Sequence, residues 1–391
     1  MNTEGIRPGP ERRKRVFVNV ETVSHFGRDI VEGIIQFALE HNWEVDFEYR
    51  TLTEPLPSWF KYWEGDGIIS RSGSRKMIQD LARKKCPRVE LVGSDSENEA
   101  EVAADREEIA RMIFSHFQER GFRHYAVFSF NDCWWSLLEK SCYIDLLQQN
   151  GVKCHTFKVR GDRRAILPKW SENDRSRLKD WLLSLPKPVA LYVVTDAQAV
   201  PVLQTCRSAG IAVPDDIAVV SVENDEWLCN ITNPPLSSAD QNGKKIGYLA
   251  ALLMADRMEG KRLEPQRIKV SPLFIQTRQS SDCIAIDDRD FTDIIKYIRE
   301  TATSGLTVQE VVEYSNFSHA TLRRLFQKWL GRTIEQEIRH VRIEKAKQLL
   351  HETECSIATV AKRSGFHSSE YFCFAFRQTT GMAPNEFRSN K

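Results

Sequence analysis

The feature that most constrains this 391-residue chain is a repeat near its end. Ser318-x-x-Thr321-Leu322-x-x-x-Phe326-x-x-x-x-Gly331 returns as Ser368-x-x-Tyr371-Phe372-x-x-x-Phe376-x-x-x-x-Gly381. A serine that can cap, apolar residues at helical spacing and a closing glycine describe one amphipathic helix, written twice. Each copy follows a shorter helix and a turn. The first short helix opens at Thr307 with Glu310 three residues on, a capping-box pattern, and spans 308–314. The second opens at Ser356, spans 357–364 and stops at Gly365. Short helix, turn and longer amphipathic helix make two helix-turn-helix motifs.

Charge follows the repeat. The whole chain balances Lys+Arg 55 against Asp+Glu 54, yet residues 314–391 hold 13 basic and 7 acidic residues, a net +6. Basic helical domains suit a phosphate backbone, although a solvated charged face gives the same composition. In the first long helix Leu322, Leu325, Phe326 and Trp329 line one side. Ser318, Ala320, Arg323 and Arg324 are left to meet DNA. In the second, Phe372, Ala375 and Phe376 pack, leaving Ser369, Glu370, Cys373 and Phe374, with His367 just before the cap. Arg323 or Arg324 suits a bidentate contact to guanine, Glu370 an acceptor for cytosine N4, and Phe374 a thymine methyl. The plainer readings are surface arginines, and Cys373 and Phe374 as hidden core.

Ahead of the repeat, from residue 15 to about 277, short apolar runs alternate with helical patterns. Strands are expected at 16–20, 43–49, 67–70, 89–92, 125–130, 154–159, 190–195 and 217–222. Helices are expected at 28–40, 74–84, 105–120, 135–149, 171–185, 197–209 and 243–259. This alternation implies parallel sheets covered on both faces. It divides into two sets near Phe130, so two doubly wound lobes with a ligand cleft at the carboxyl ends of the strands are expected. The acid-rich stretch 279–290 reads as a linker, 291–391 as all helix, and 1–14 as a basic extension without an assigned role.

No apolar run approaches the roughly 18 residues needed to cross a bilayer, and the apolar stretch 16–20 is too short for a signal-peptide core. Nine cysteines lie far apart without a Cys-x-x-Cys pair, which points to a reducing, cytoplasmic setting and to no metal. No cofactor is expected. An enzyme is disfavoured: there is no Gly-x-Gly-x-x-Gly, Walker loop or nucleophile elbow, and His351-Glu352 lacks the second histidine of a zinc motif.

The tail resembles the DNA-binding domain of the AraC/XylS family of transcription regulators. The resemblance is carried by Gly365-Phe366-His367-Ser368-Ser369-Glu370-Tyr371-Phe372-Cys373-Phe374-Ala375-Phe376-Arg377 and Gly381-Met382-Ala383-Pro384-Asn385-Glu386-Phe387-Arg388. It departs at Phe374, where a polar or basic residue is usual, and at Ala383, where threonine is common. The resemblance implies that both longer helices enter successive major grooves.

The front resembles the effector domain of LacI-type regulators. The matching pieces are Phe26-Gly27-Arg28-Asp29-Ile30-Val31-Glu32-Gly33, Gly65-Asp66-Gly67-Ile68-Ile69 and Val213-Pro214-Asp215-Asp216-Ile217-Ala218-Val219-Val220-Ser221-Val222. The implied fold is a two-lobed, periplasmic-binding-protein-like (type I) α/β domain, followed by an all-α domain with two helix-turn-helix motifs. The pairing resembles the layout of xylose-responsive bacterial regulators. It implies a small sugar, xylose first, bound between the lobes, a double-stranded DNA operator, contact with RNA polymerase, a homodimer, and activation rather than repression. A front domain that binds a non-sugar metabolite, or serves only dimerisation, is the alternative.

Sugars present paired hydroxyls to carboxylates and amides and C–H faces to aromatic rings. The resemblance places Asp196, Glu223 and Asn224 at strand ends, Arg28 at the head of the first helix, and Glu139 on the helix after residue 130. Phe26, Trp134 or Trp135 would supply a stacking wall. Glu223 stands where aspartate is usual, and Glu139 where many relatives carry arginine, which points away from an anionic effector.

Overall fold

Apolar runs that end in a polar residue become strands, and the amphipathic stretches between them become helices. The computed structural model describes residues 12–52, 54–91, 100–129, 134–157, 170–261, 267–286 and 288–389. The strands are β1 (Arg15–Asn19), β2 (Glu44–Phe47), β3 (Gly67–Ser70), β4 (Arg88–Glu90), β5 (Ala100–Ala104), β6 (His124–Phe128), β7 (Cys154–Thr156), β8 (Val189–Val193), β9 (Ile217–Val222), β10 (Ser237–Ala239), β11 (Arg267–Val270) and β12 (Ile275–Gln276). The helices of this part are α1 (His25–Glu40), α2 (Arg75–Ala82), α3 (Arg106–Gln118), α4 (Trp134–Gln149), α5 (Glu172–Ser184), α6 (Asp196–Ser208), α7 (Glu226–Ile231) and α8 (Gly243–Met258).

Two sheets form, in the orders β2-β1-β3-β4-β5-β11 and β7-β6-β8-β9-β10-β12. Every pairing is parallel except β10 with β12. Both share the doubly wound order in which the second strand precedes the first and the third follows it. The order therefore reverses between β1 and β3, and again between β6 and β8, and such switch points receive ligands outside the carboxyl ends.

The chain separates into two compact units, Met1–Ala104 with Gly243–Val270, and Asp105–Asn242 with Ser271–Lys391. This corrects the expected division near residue 130. The chain crosses at 104–105, returns at 242–243 and crosses again at 270–271. Helix α8, which the alternation placed in the second set, belongs to the first unit and packs along α1. Two glycines allow that approach: a Cβ at Gly33 would lie 2.0 Å from the Lys244 carbonyl oxygen, and one at Gly247 2.0 Å from that of Ile30. Strand–helix alternation carries no information about which sheet a late element rejoins.

The helical part comprises α9 (Arg289–Thr301), α10 (Val308–Ser315), α11 (His319–Leu330), α12 (Ile334–Glu352), α13 (Ile357–Arg363), α14 (Ser369–Thr380) and α15 (Pro384–Ser389). The capping box at Thr307 and Glu310 is present, and Ser318, Ser356 and Ser368 each cap their helix through the side chain. Gly331 and Gly381 close α11 and α14 at φ 65° and 77°, conformations that favour glycine. Phe326 and Phe376 are fully buried at matching positions of the repeat, each contributing about 2–3 kcal/mol of burial. The first joins a core with Phe291, Ile295, Val311 and Leu322. The second joins one with Leu350, Val360, Phe372 and Phe387. Helix α12 supplies residues to both.

The stretch 279–290, expected to be a linker, is packed over much of its length. Ser280 and Ser281 are fully buried and Ile286 nearly so. Ser280 donates to the Val219 carbonyl at 2.7 Å, and His116 meets the Ser281 hydroxyl at 2.8 Å. Among the described residues no helix is long and apolar enough to cross a membrane.

Candidate functional site

The first sheet ends in polar side chains at its switch point. Asn19 closes β1 and donates to the Ser70 hydroxyl at 2.9 Å at the end of β3; Ser70 meets Ser72 at 2.9 Å. Glu90, at the end of β4, accepts from the Ser72 backbone N–H and hydroxyl, both at 2.8 Å. Arg50 binds the Asn19 side-chain oxygen, and Arg71 pairs with Glu21. Burial lowers the Arg50 pKa below its ordinary value. Glu21 is only 2% exposed, and among the described residues its Oε2 finds no hydrogen-bond donor. A buried carboxylate oxygen without a donor is costly unless a hydroxyl or N–H arrives to fill it.

None of these seven residues stood among the sequence candidates. Their one legible signal is a polar residue ending a buried apolar run, as Asn19 and Ser70 do. The two sequence candidates in this unit lie beside the cluster. The Phe26 ring is buried with the Arg71 guanidinium 5.0 Å from its centroid. Arg28 is exposed and donates to the carbonyls of Thr22 and Val23 at 3.1 and 3.0 Å.

The second sheet gathers its polar groups around Asp196, the first residue of α6. Asp196 is fully buried. One carboxylate oxygen accepts from the Ser221 and Ser238 hydroxyls, the latter at 2.6 Å. The other accepts from the Asp225 backbone at 2.7 Å and the Cys229 thiol at 3.4 Å. Burial pushes its pKa up to about 6, opposed by these four hydrogen bonds. Asp196 thus ties the ends of β8, β9 and β10 together.

The same tie shapes the turn after β9, where Glu223 and Asn224 adopt φ 115° and 49°. Non-glycine residues at positive φ cost about 1–3 kcal/mol and cluster at functional turns. Asn224 accepts from Arg278 at 3.1 Å, and its N–H donates to Ser238 at 2.9 Å. Glu139 on α4 pairs with Arg106 at the start of α3, 3.3 Å away. Trp135 is buried, and its indole N–H finds no partner among the described residues. The Trp134 side chain lies outside the described residues. A cavity of about 480 Å³ in this unit is lined by none of these residues; it is bounded by α3, α9 and α12.

The candidate DNA face is open. Arg323 and Arg324 are exposed on α11, as are Ser318 and Ala320 at its start. Ser318 spends its hydroxyl oxygen as the cap, accepting from the Thr321 N–H at 3.2 Å. On α14, Phe374 is 63% exposed, Glu370 is exposed and accepts from the Ser368 hydroxyl at 2.6 Å, and Ser369 is half-buried. His367 is exposed beside them, whereas Cys373 is half-buried against the second core. Phe374 is therefore not core.

Comparison with known proteins agrees with this division. Residues 114–281 match the model of a periplasmic binding protein-like domain, and residues 298–390 that of a helix-turn-helix domain. The xylose operon regulatory protein of Haemophilus influenzae is 28% identical, over 93% of this chain and 95% of its own length. That of Escherichia coli K12 is 27% identical, over 96% and 97%. A solved structure of a xylose-binding transcription activator, 26% identical, superposes with a TM-score of 0.62 over 97% of this chain and 98% of that one. The two parallel-sheet lobes, the doubled helix-turn-helix tail and this end-to-end similarity make the chain a transcription regulator of the AraC type with a periplasmic-binding-protein-like domain, a full-length homologue of the xylose operon regulators and not an enzyme.

Proposed function

We propose that this regulator binds an operator through both helix-turn-helix motifs and answers to a small neutral sugar, xylose first, as a cytoplasmic homodimeric activator that meets RNA polymerase on DNA. The effector domain is 15–278 and the DNA-binding domain 291–391. The observation that carries the sugar reading is the polar end of the first sheet, where a buried Glu21 oxygen beside Asn19, Ser70, Ser72 and Glu90 finds no donor among the described residues. Such a set suits the hydroxyls of a pyranose. Arg28, Phe26, Trp134, Trp135, Glu139, Glu223 and Asn224 complete the proposed contacts, and Asp196, with both oxygens engaged, holds the Glu223–Asn224 turn in shape. The Glu21 and Glu139 carboxylates are paired with Arg71 and Arg106, which suits a neutral ligand. The names of the relatives add weight to xylose.

Thermal unfolding against a panel of pentoses, hexoses and nucleosides tests the reading. A sugar at about 100 times its Kd adds roughly 2.7 kcal/mol, a rise in Tm of about 5–10 °C for a domain of this size. A shift with another sugar moves the pathway and keeps the mechanism; no shift with any compound defeats sugar sensing.

On the DNA side, exposed Phe374 is expected to read a thymine methyl. Replacing the contacted thymine by uracil, which lacks only that methyl, should weaken binding about fourfold, near the roughly 0.8 kcal/mol of one buried methyl group. Phe374→Ser should be indifferent to the exchange. Equal losses in both proteins, measured by fluorescence anisotropy, would remove Phe374 from base recognition.

A further inference from the structure

The loop that follows α3 in the second lobe grips the end of the first recognition helix. Glu119 places one carboxylate oxygen 3.0 Å from Arg332 and the other 2.9 Å from His340. Arg332 directly follows Gly331, the residue that closes α11, and also pairs with the buried Glu337 of α12. Four residues beyond Glu119, the Arg123 guanidinium lies 4.9 Å from the ring centroid of Trp329, in the last turn of α11. Burial alone would raise the Glu119 pKa, but His340 and Arg332 hold its carboxyl well below the usual carboxylate range.

The connecting segment meets the same loop. The Ala285 N–H donates to the Arg120 carbonyl at 2.7 Å, and Arg120 donates to the Ser281 carbonyl at 3.0 Å. Ile286 fills the space over Gly121, where a Cβ would lie 2.4 Å from it. The other end of α3 starts at Arg106, the partner of the candidate effector residue Glu139. A 13-residue helix spans about 20 Å, so α3 is a stiff strut between that pair and Glu119.

We propose that Glu119 is a positioning residue for operator binding: by tying the loop after α3 to the turn that ends α11, it lets the state of the second lobe set the orientation of the first recognition helix. This rests on the reading that a sugar controls DNA binding. These contacts form a two-ended element, with Arg106–Glu139 at one end of α3 and Glu119–Arg332 at the other, rather than a diffuse path through the protein.

The test uses the full chain and the variant Glu119→Gln, with xylose as the probe and a duplex selected from a random pool. Hydrogen exchange without sugar is expected to speed up at least tenfold across residues 329–340. The ratio of operator affinities with and without xylose is expected to shrink at least fivefold, a typical coupling strength, while the xylose-induced rise in Tm persists. Glu119→Asp, which keeps a carboxylate between Arg332 and His340, should retain most of the ratio that Glu119→Gln loses. Unchanged exchange in Glu119→Gln overturns the tie. Faster exchange with an unchanged affinity ratio overturns the relay. A wild type whose Tm ignores xylose defeats the xylose reading separately, and the exchange experiment then decides the tie by itself.

Discussion

Asp196→Ala is expected to loosen the carboxyl end of the second sheet, and by an amount that depends on pH. The substitution strands two serine hydroxyls, the Asp225 N–H and the Cys229 thiol in a site without solvent. Each stranded buried donor costs about 1–3 kcal/mol, so the loss near pH 4 is on the order of 4 kcal/mol or more. The carboxyl itself acts in the opposite sense as pH rises. Its folded pKa, about 6, lies above the ordinary 3.8, so the folded state holds the proton more tightly than the unfolded chain. The stability this confers is complete below about pH 3.8 and is lost as pH climbs through about 6. The gap between 3.8 and about 6 converts to about 3 kcal/mol.

Denaturant unfolding of wild type and variant at several pH values should therefore show their difference narrowing by about 2 kcal/mol between pH 4 and pH 7. A constant difference would show that Asp196 does not titrate in this range, and a widening one that its pKa is depressed. Because the variant damages the Glu223–Asn224 turn, a lost sugar response in it does not make Asp196 a sugar ligand. Glu223→Gln, which leaves the Asp196 hydrogen bonds in place, separates the two roles.

The legibility of this molecule in its sequence follows from the range of the forces involved. The helix-turn-helix repeat is written in local chemistry, in caps at i and i+3 and apolar residues at 3.6 spacing, and α10, α11, α13 and α14 lie within a residue or so of their expected places. The strands buried on both faces, such as β6, β8 and β9, are legible as apolar runs. Strand β5, Ala-Glu-Val-Ala-Ala, is not, because alanine suits a helix as well, and β10 to β12 are too short or too polar to register.

What the local pattern could not carry is long-range pairing. That α8 and β11 return to the first unit depends on glycine contacts with α1 and on register with β5. The site divides the same way. Glu223 and Asn224 are placed at a strand end by the resemblance to LacI-type effector domains rather than by local pattern. Asn19, Ser70 and Glu90 are single polar residues in separate apolar runs, and only the sheet order makes them neighbours.

Arg323→Ala with Arg324→Ala should cost the operator complex more than any other surface change in this chain. Both guanidiniums stand exposed on α11, opposite Leu322 and Phe326, which are fully buried. Removing them therefore leaves the fold intact. A bidentate arginine–guanine contact is worth about 1–3 kcal/mol, so each base-reading arginine lost weakens binding about five- to more than a hundredfold. Salt separates the two roles an arginine can play. A phosphate contact releases counterions, so its loss flattens the slope of log affinity against log salt by about 1 and weakens all sequences alike. A base contact leaves the slope and relaxes the preference at one position. Anisotropy titrations of the single variants across a salt series, on the selected duplex and on point-substituted duplexes, assign each residue. Wild-type affinity, slope and sequence preference in the double variant would mean that α11 is not the helix that enters the groove. The first half of the repeat would then serve as support for α14, which alone would read the base pairs.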